Sequence, residues 1–180
     1  MNNIKEYIIE KLRINKDIKV KEYNYHPKNR DELRSLIKKL LEERGNDADL
    51  NDINVSDITD MSDLFKDLDP YNINISEWNV SNVKNMRGMF NYCDNFNSDI
   101  SKWDVSNVKN IESMFYRCTK FNSDLSNWDV SNVKNMCYMF YKCLNFNSDL
   151  SRWNVSNVIN MSYMFYRCNS LKNKPSWYNV

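Results

Sequence analysis

The sequence predicts an α/β repeat fold: a solenoid of short parallel strands and short helices with a helical cap at its N-terminal end. Three observations predict it. Tryptophan, cysteine and phenylalanine recur every 25 residues, each repeat changes once from strand-like to helix-like apolar spacing, and an amphipathic segment precedes the array. Stacking such repeats buries an apolar face that a single repeat leaves exposed.

The 25-residue period is carried by three columns of identical residues. These are Trp78, Trp103, Trp128 and Trp153; Cys93, Cys118, Cys143 and Cys168; and Phe65, Phe90, Phe115, Phe140 and Phe165. The register predicts about five repeats over residues 48–180. Trp177 lies one position out of the tryptophan column, so we expect Tyr178 to occupy the tryptophan slot of the last repeat.

Each repeat contains one change of period. Trp128 and Val130 alternate around Asp129, which is typical of a short strand. The following apolar residues share one face at helical spacing, and they are Val133, Met136, Met139, Phe140 and Cys143. Ser131 precedes them and is the predicted N-cap, so each repeat is expected to hold a strand and a short helix.

Residues 1–47 are predicted to form the helical cap. Asn29 and Glu32 have the spacing of a capping box, and Gly45 stands where a helix ends. Between them runs an apolar stripe made of Leu33, Leu36, Ile37, Leu40 and Leu41. Residues 1–20 suggest a second helix with Ile4, Ile8 and Leu12 on one side.

The composition excludes several classes of protein. With 42% hydrophobic residues the chain can bury a core, and with two glycines it cannot form a glycine-rich phosphate loop. Its 25 basic and 24 acidic residues nearly cancel, so no overall field attracts nucleic acid or membrane. The charge is uneven, however, since residues 45–77 carry 9 acidic and 1 basic side chains.

The sequence predicts no catalytic residue, cofactor or metal site. A straight column of cysteines does not converge on one point as zinc ligands must, so these thiols are expected to fill gaps in the core. Cys137 lies outside that column and is predicted to be exposed. Residues 47–58 begin like a calcium loop, but Asp52 and Ile58 replace the glycine and glutamate that such a loop requires.

The first residues indicate a cytoplasmic protein. They contain no long apolar run of the kind a signal peptide needs, and the first cysteine is Cys93, far from any lipid-anchor position. Five cysteines without a closely spaced pair suit a reducing compartment. No stretch of 18 apolar residues predicts a membrane span.

The repeated phrase W-D-V-S-N-V-x-N-M-x-x-M-F-x-x-C-x-x-F-N-x-D-L-S resembles the BspA-like family of bacterial surface leucine-rich-repeat proteins, and in particular its 25-residue DUF285-type repeat. Residues 103–126, 128–151 and 153–176 match it closely, and 50–77 match it loosely. The resemblance implies a leucine-rich-repeat-like solenoid for adhesion or protein binding, without catalytic residues. It also implies the cell surface if a leader is missing from the chain.

Two faces are candidates for binding an unidentified protein partner. The residue before each tryptophan varies, which suits specificity on a rigid scaffold, and this column reads Glu77, Lys102, Asn127 and Arg152. The next outward column, Asn54 to Asn179, is nearly constant and suits a structural hydrogen-bond ladder. The alternative is single-stranded nucleic acid on an aromatic and basic stripe of Tyr116, Arg117, Tyr141, Lys142, Tyr166 and Arg167.

Overall fold

The computed structural model describes residues 21–179, so the second helix expected within residues 1–20 lies outside the described part. The described residues contain one helix, α1, Arg30–Arg44, and no strand. The predicted leucine-rich-repeat-like solenoid of short parallel strands and short helices is therefore wrong. Each 25-residue repeat is instead a succession of turns, and isolated parallel bridges join neighbouring repeats. Within residues 21–179 no helix is both long enough and apolar enough to cross a membrane.

Helix α1 begins and ends as its sequence predicts. The side-chain oxygen of Asn29 accepts the Glu32 N–H at 2.9 Å, and the Asn29 amide donates to the Glu32 carboxylate at 3.0 Å. The Gly45 N–H closes the other end on the Leu41 carbonyl, with the glycine at φ 88°. The buried side of α1 joins the same continuous core as the repeats. Its Arg34 guanidinium donates to three backbone carbonyls of the first repeat, so α1 covers that end of the array.

Neighbouring repeats stack in the 25-residue register that the sequence predicts. Parallel bridges link equivalent asparagines, as between Asn85 and Asn110. Rings of the phenylalanine column lie on one another with centroids 5.1–5.7 Å apart and near-parallel planes. Each tryptophan of the column donates its Nε1–H to a carbonyl of the preceding repeat, as Trp128 does to Ile100 at 3.1 Å. Burial and hydrogen bonding thus fix the same register.

Turns replace the predicted helices because two residues in every repeat have positive φ. Tyr138 and Lys142 have φ 57° and 59°, and their equivalents in the other repeats lie between 53° and 62°. A left-handed residue interrupts an α-helix. The Met139 N–H accordingly donates to the Met136 carbonyl three residues back, whereas the Phe140 N–H donates to Met164 in the next repeat. The apolar side chains still point inward, but hydrogen bonds between repeats hold the backbone.

Side chains of asparagine and aspartate form the corners of each repeat. In one repeat, Asp124, Asp129 and Asn135 each accept the N–H of the residue two positions on, at 2.9–3.1 Å. Such side-chain turns compete with regular secondary structure. Ser131 therefore belongs to a turn and caps no helix. The predicted strand at Trp128 is a turn as well, since its N–H donates to Leu125 within the same repeat.

The last repeat is one residue shorter than the others, and its tryptophan, Trp177, still lies in the tryptophan column. The Trp177 ring stacks on Trp153 at 6.3 Å with 7° between the planes, and its Nε1–H donates to the Leu150 carbonyl at 2.9 Å. The expectation that Tyr178 fills this slot is wrong. Tyr178 instead places its ring edge against Phe165.

Candidate functional site

The predicted partner-binding column is an exposed row of mixed charge. Glu77, Lys102, Asn127 and Arg152 occupy equivalent positions in successive repeats, and all four are exposed. Glu77 is ion-paired with Lys21 at 2.5 Å. The row contains no aromatic or aliphatic residue. A partner could therefore make only polar contacts here, with groups that are well solvated in the free protein.

The nearly constant column beside it has a structural role, but it is not a ladder between repeats. The side-chain oxygens of Asn79, Asp104, Asp129 and Asn154 accept the N–H of the serine two residues on. The hydrogen bonds from the Ser131 hydroxyl and N–H hold the pKa of the Asp129 carboxyl below its usual value. The ladder between repeats is made by another column, in which Asn107 donates to Ser81 at 2.8 Å and Asn132 donates to Ser106 at 2.7 Å.

A second surface brings six tyrosines together. This tyrosine face consists of Tyr92, Tyr116, Tyr138, Tyr141, Tyr163 and Tyr166. Within one row the rings stack face to face: Tyr116 on Tyr141 at 4.7 Å, and Tyr141 on Tyr166 at 5.0 Å. A second row stacks Tyr138 on Tyr163 at 5.2 Å. The rows meet edge to face, as at Tyr138 and Tyr141.

The tyrosine face is continuous and accessible. Tyr92, Tyr163 and Tyr166 are 41%, 55% and 43% exposed, while Tyr116, Tyr138 and Tyr141 are half-buried. A contiguous exposed aromatic surface of this kind marks a candidate interaction site. A shallow groove of about 450 Å³ lies among Tyr92, Tyr116, Tyr138 and Tyr141. Burial and the neighbouring Tyr92 raise the pKa of the Tyr116 phenol, so its hydroxyl stays protonated at neutral pH.

Basic side chains border the tyrosine face. Arg117 lies over the ring of Tyr92 at 5.1 Å, and Lys142 and Arg167 each lie 5.5 Å from the tyrosine that precedes them. The six residues predicted as the alternative stripe therefore form one surface. The prediction missed Tyr92, Tyr138 and Tyr163, although Tyr138 and Tyr163 show the same 25-residue spacing.

The cysteine column fills gaps in the core, as predicted. Each thiol of the column is buried and donates to a phenylalanine carbonyl of the preceding repeat, as Cys118 does to Phe90 at 3.0 Å. Burial raises the pKa of Cys93 and of Cys168 to about 12. Cys137 is 8% exposed, so the prediction of an exposed thiol there is wrong. Among residues 21–179 no three metal-ligating side chains come together.

A comparison with known protein families found one match. The model of the family described as "Mycoplasma protein of unknown function, DUF285" matches residues 33–130 and 102–180. This finding confirms the DUF285 part of the resemblance and leaves the BspA-like part without support of its own. Searches of curated proteins and of solved structures found no match.

Proposed function

Since this chain belongs to the DUF285 family of Mycoplasma proteins of unknown function, we propose from its surface that it is a non-enzymatic protein-binding module of the adhesion type. The binding site is the tyrosine face. One observation carries the proposal: six adjoining tyrosines, three exposed and three half-buried, lie at the surface of a protein that buries its other repeated aromatic columns.

The chemistry of the tyrosine face suits a protein partner. Tyrosine and arginine are enriched in protein interfaces because they combine large contact area with hydrogen bonding. Stacking already restricts these rings, so little side-chain entropy is lost on binding. The mixed-charge column at Glu77, Lys102, Asn127 and Arg152 lacks such anchors, and we therefore favour the tyrosine face over it.

The ring stacking argues against the alternative, single-stranded nucleic acid. Proteins that bind single strands without sequence preference offer free aromatic faces to the bases. Here the faces of Tyr116, Tyr141 and Tyr166 lie against one another at 4.7–5.0 Å, which leaves the ring edges and hydroxyls for a ligand. Edges and hydroxyls suit peptide groups better than bases.

Catalysis by the described residues has little support. The one histidine of the sequence, His26, packs edge to face with Tyr23 at 6.2 Å. The buried thiols of Cys118 and Cys143 have a pKa well above the usual value, so they are poor nucleophiles at neutral pH.

Site-specific photo-crosslinking tests the proposal. Benzoylphenylalanine is incorporated in place of Tyr163 on the tyrosine face, or in place of Lys102 in the mixed-charge column as the matched control. Both proteins are irradiated in a lysate of the source organism. We expect a discrete protein adduct from position 163 and none from position 102. Adducts from position 102 alone would assign binding to the column, and adducts with nucleic acid at position 163 would favour the alternative function.

A further inference from the structure

The basic row beside the tyrosine face stands out because each of its three cations lies against a tyrosine ring. Arg117, Lys142 and Arg167 occupy the same position of three successive repeats, where the adjoining tyrosine rings lie about 5 Å apart. Within residues 21–179 none of the three forms an ion pair, and the Nε of Arg117 is buried without a hydrogen-bond partner.

The fold does not require basic residues at this position. The first two repeats place Asp67 and Tyr92 there, with the same positive φ of 60°. The basic residues therefore do not serve the turn. Three cations in successive repeats would attract an anionic ligand.

A groove runs along the basic row. It has a volume of about 360 Å³ and is lined by Arg117, Thr119, Lys142, Leu144, Arg167 and Asn169. Leu144 is 37% exposed and gives this wall an apolar surface. The groove thus combines a row of cations with the apolar Leu144 and the amide of Asn169. This lining suits a peptide that carries several carboxylates.

We propose that this groove binds an acidic segment of a partner protein, with its carboxylates on the basic row. The inference rests on the proposed protein-binding function and names the chemistry of the partner. Aspartate and glutamate side chains form charge-assisted hydrogen bonds with guanidinium and ammonium groups. Nucleic acid fits less well because the tyrosine ring faces are already occupied.

The sequence supplies a matched control for the test. Lys84, Lys109 and Lys134 form a second column of three stacked cations, and all three are exposed. No tyrosine ring lies within cation–π distance of any of them among the described residues. Converting either column to glutamine removes three positive charges, so the two variants have the same net charge.

Fluorescence anisotropy with a labelled oligoglutamate peptide tests the proposal. We expect Arg117→Gln/Lys142→Gln/Arg167→Gln to weaken binding about tenfold or more, and Lys84→Gln/Lys109→Gln/Lys134→Gln to weaken it about twofold at most. Equal weakening by the two triple variants would show attraction to net charge alone and would overturn the proposal. Lys142→Glu/Arg167→Glu, with Lys109→Glu/Lys134→Glu as its control, avoids the half-buried Arg117 if the first triple variant unfolds.

Two further measurements separate the possible occupants. Oligothymidylate of equal charge should bind the wild-type protein more weakly than oligoglutamate, and tighter binding would overturn the assignment to a peptide. In sedimentation, the wild-type protein should remain monomeric. If it self-associates and the basic-row variant does not, the occupant of the groove is a second copy of the chain, and the assignment to a partner peptide is overturned. Photo-crosslinks at position 163 without oligoglutamate binding would overturn only the acidic specificity, whereas loss of those crosslinks would overturn the proposed function itself.

Discussion

Replacing a central tryptophan should cost the protein a large part of its stability. Trp128 is 3% exposed, and its Nε1–H donates to the Ile100 carbonyl at 3.1 Å. Truncating a buried tryptophan to alanine costs about 3–5 kcal/mol, and the lost hydrogen bond adds about 1 kcal/mol. Trp128→Ala should therefore lower the free energy of unfolding by about 4–6 kcal/mol, against a total of about 5–15 kcal/mol for an ordinary domain.

Two matched variants divide that loss into its parts. Trp128→Phe removes the donor and part of the buried ring, and the Ile100 carbonyl retains the N–H of Trp103 at 3.2 Å, so the cost should be about 1–2 kcal/mol. Trp177 is half-buried in the last described repeat, and Trp177→Ala should cost about 1–2 kcal/mol. Urea denaturation followed by the fluorescence of the remaining tryptophans measures all three. Equal losses in Trp128→Ala and Trp177→Ala would refute the reasoning, because the predicted difference comes from the fuller burial of Trp128.

Three other predictions concern the thiols and the turns. Thiol titration should count five free cysteines in the denatured, unreduced protein, and almost none of them should react quickly in the native protein. A finding of two disulfides would contradict this prediction and would point away from a reducing compartment. Because burial raises the pKa of Cys93 and Cys168 to about 12, their contribution to stability is complete below the unfolded pKa near 9. It is lost as the pH rises from about 9 towards 12, so the urea midpoint should fall over that range, and a constant midpoint would show that the thiols are accessible. Asp129→Ala should lower the free energy of unfolding by about 1 kcal/mol, because it removes the side-chain hydrogen bond that holds the turn. Asp129→Asn should change it little, because Asn79 and Asn154 make the same turn in their repeats. Equal losses of stability in the two variants, measured by denaturation, would argue against a role of this side chain in the turn.

The period of the sequence predicted which residues are buried, and the local spacing misled the assignment of helices. Phe140 and Met139 point inward as expected because stacking in register is the only way to bury every column at once. The spacing of apolar residues cannot distinguish a helix from turns that place the same side chains inward. Tyr138 and Lys142 adopt positive φ, a conformation that no preference of tyrosine or lysine indicates.

One signal in the sequence did indicate turns. Each repeat carries an asparagine or aspartate at three corners, and in the structure these side chains hold the backbone as Asp124, Asp129 and Asn135 do. Residues of this type favour turns over helices and strands because they hydrogen-bond the nearby backbone. The strict recurrence of these residues was a stronger indication than the apolar spacing of a single repeat.

The candidate site was only partly predictable. The row of Tyr116, Tyr141 and Tyr166 followed from the period, and so did the basic residues beside it. The second row, Tyr138 and Tyr163, lies beside the first because each of these tyrosines precedes one of the first row by three residues. Residues three apart are neighbours on a helix as well, so this spacing together with the 25-residue period could have identified the second row from the sequence.

Nuclear magnetic resonance of protein labelled with ¹³C on its tyrosine rings tests the central claim most directly. The eleven tyrosines of the sequence include six on the tyrosine face, and Tyr23 and Tyr25, which precede α1, serve as internal controls. On titration with oligoglutamate, we predict that the ring signals of the tyrosine face shift in a saturable manner while those of the two controls stay in place. Ring signals of the tyrosine face that stay unmoved at saturating oligoglutamate would contradict the account.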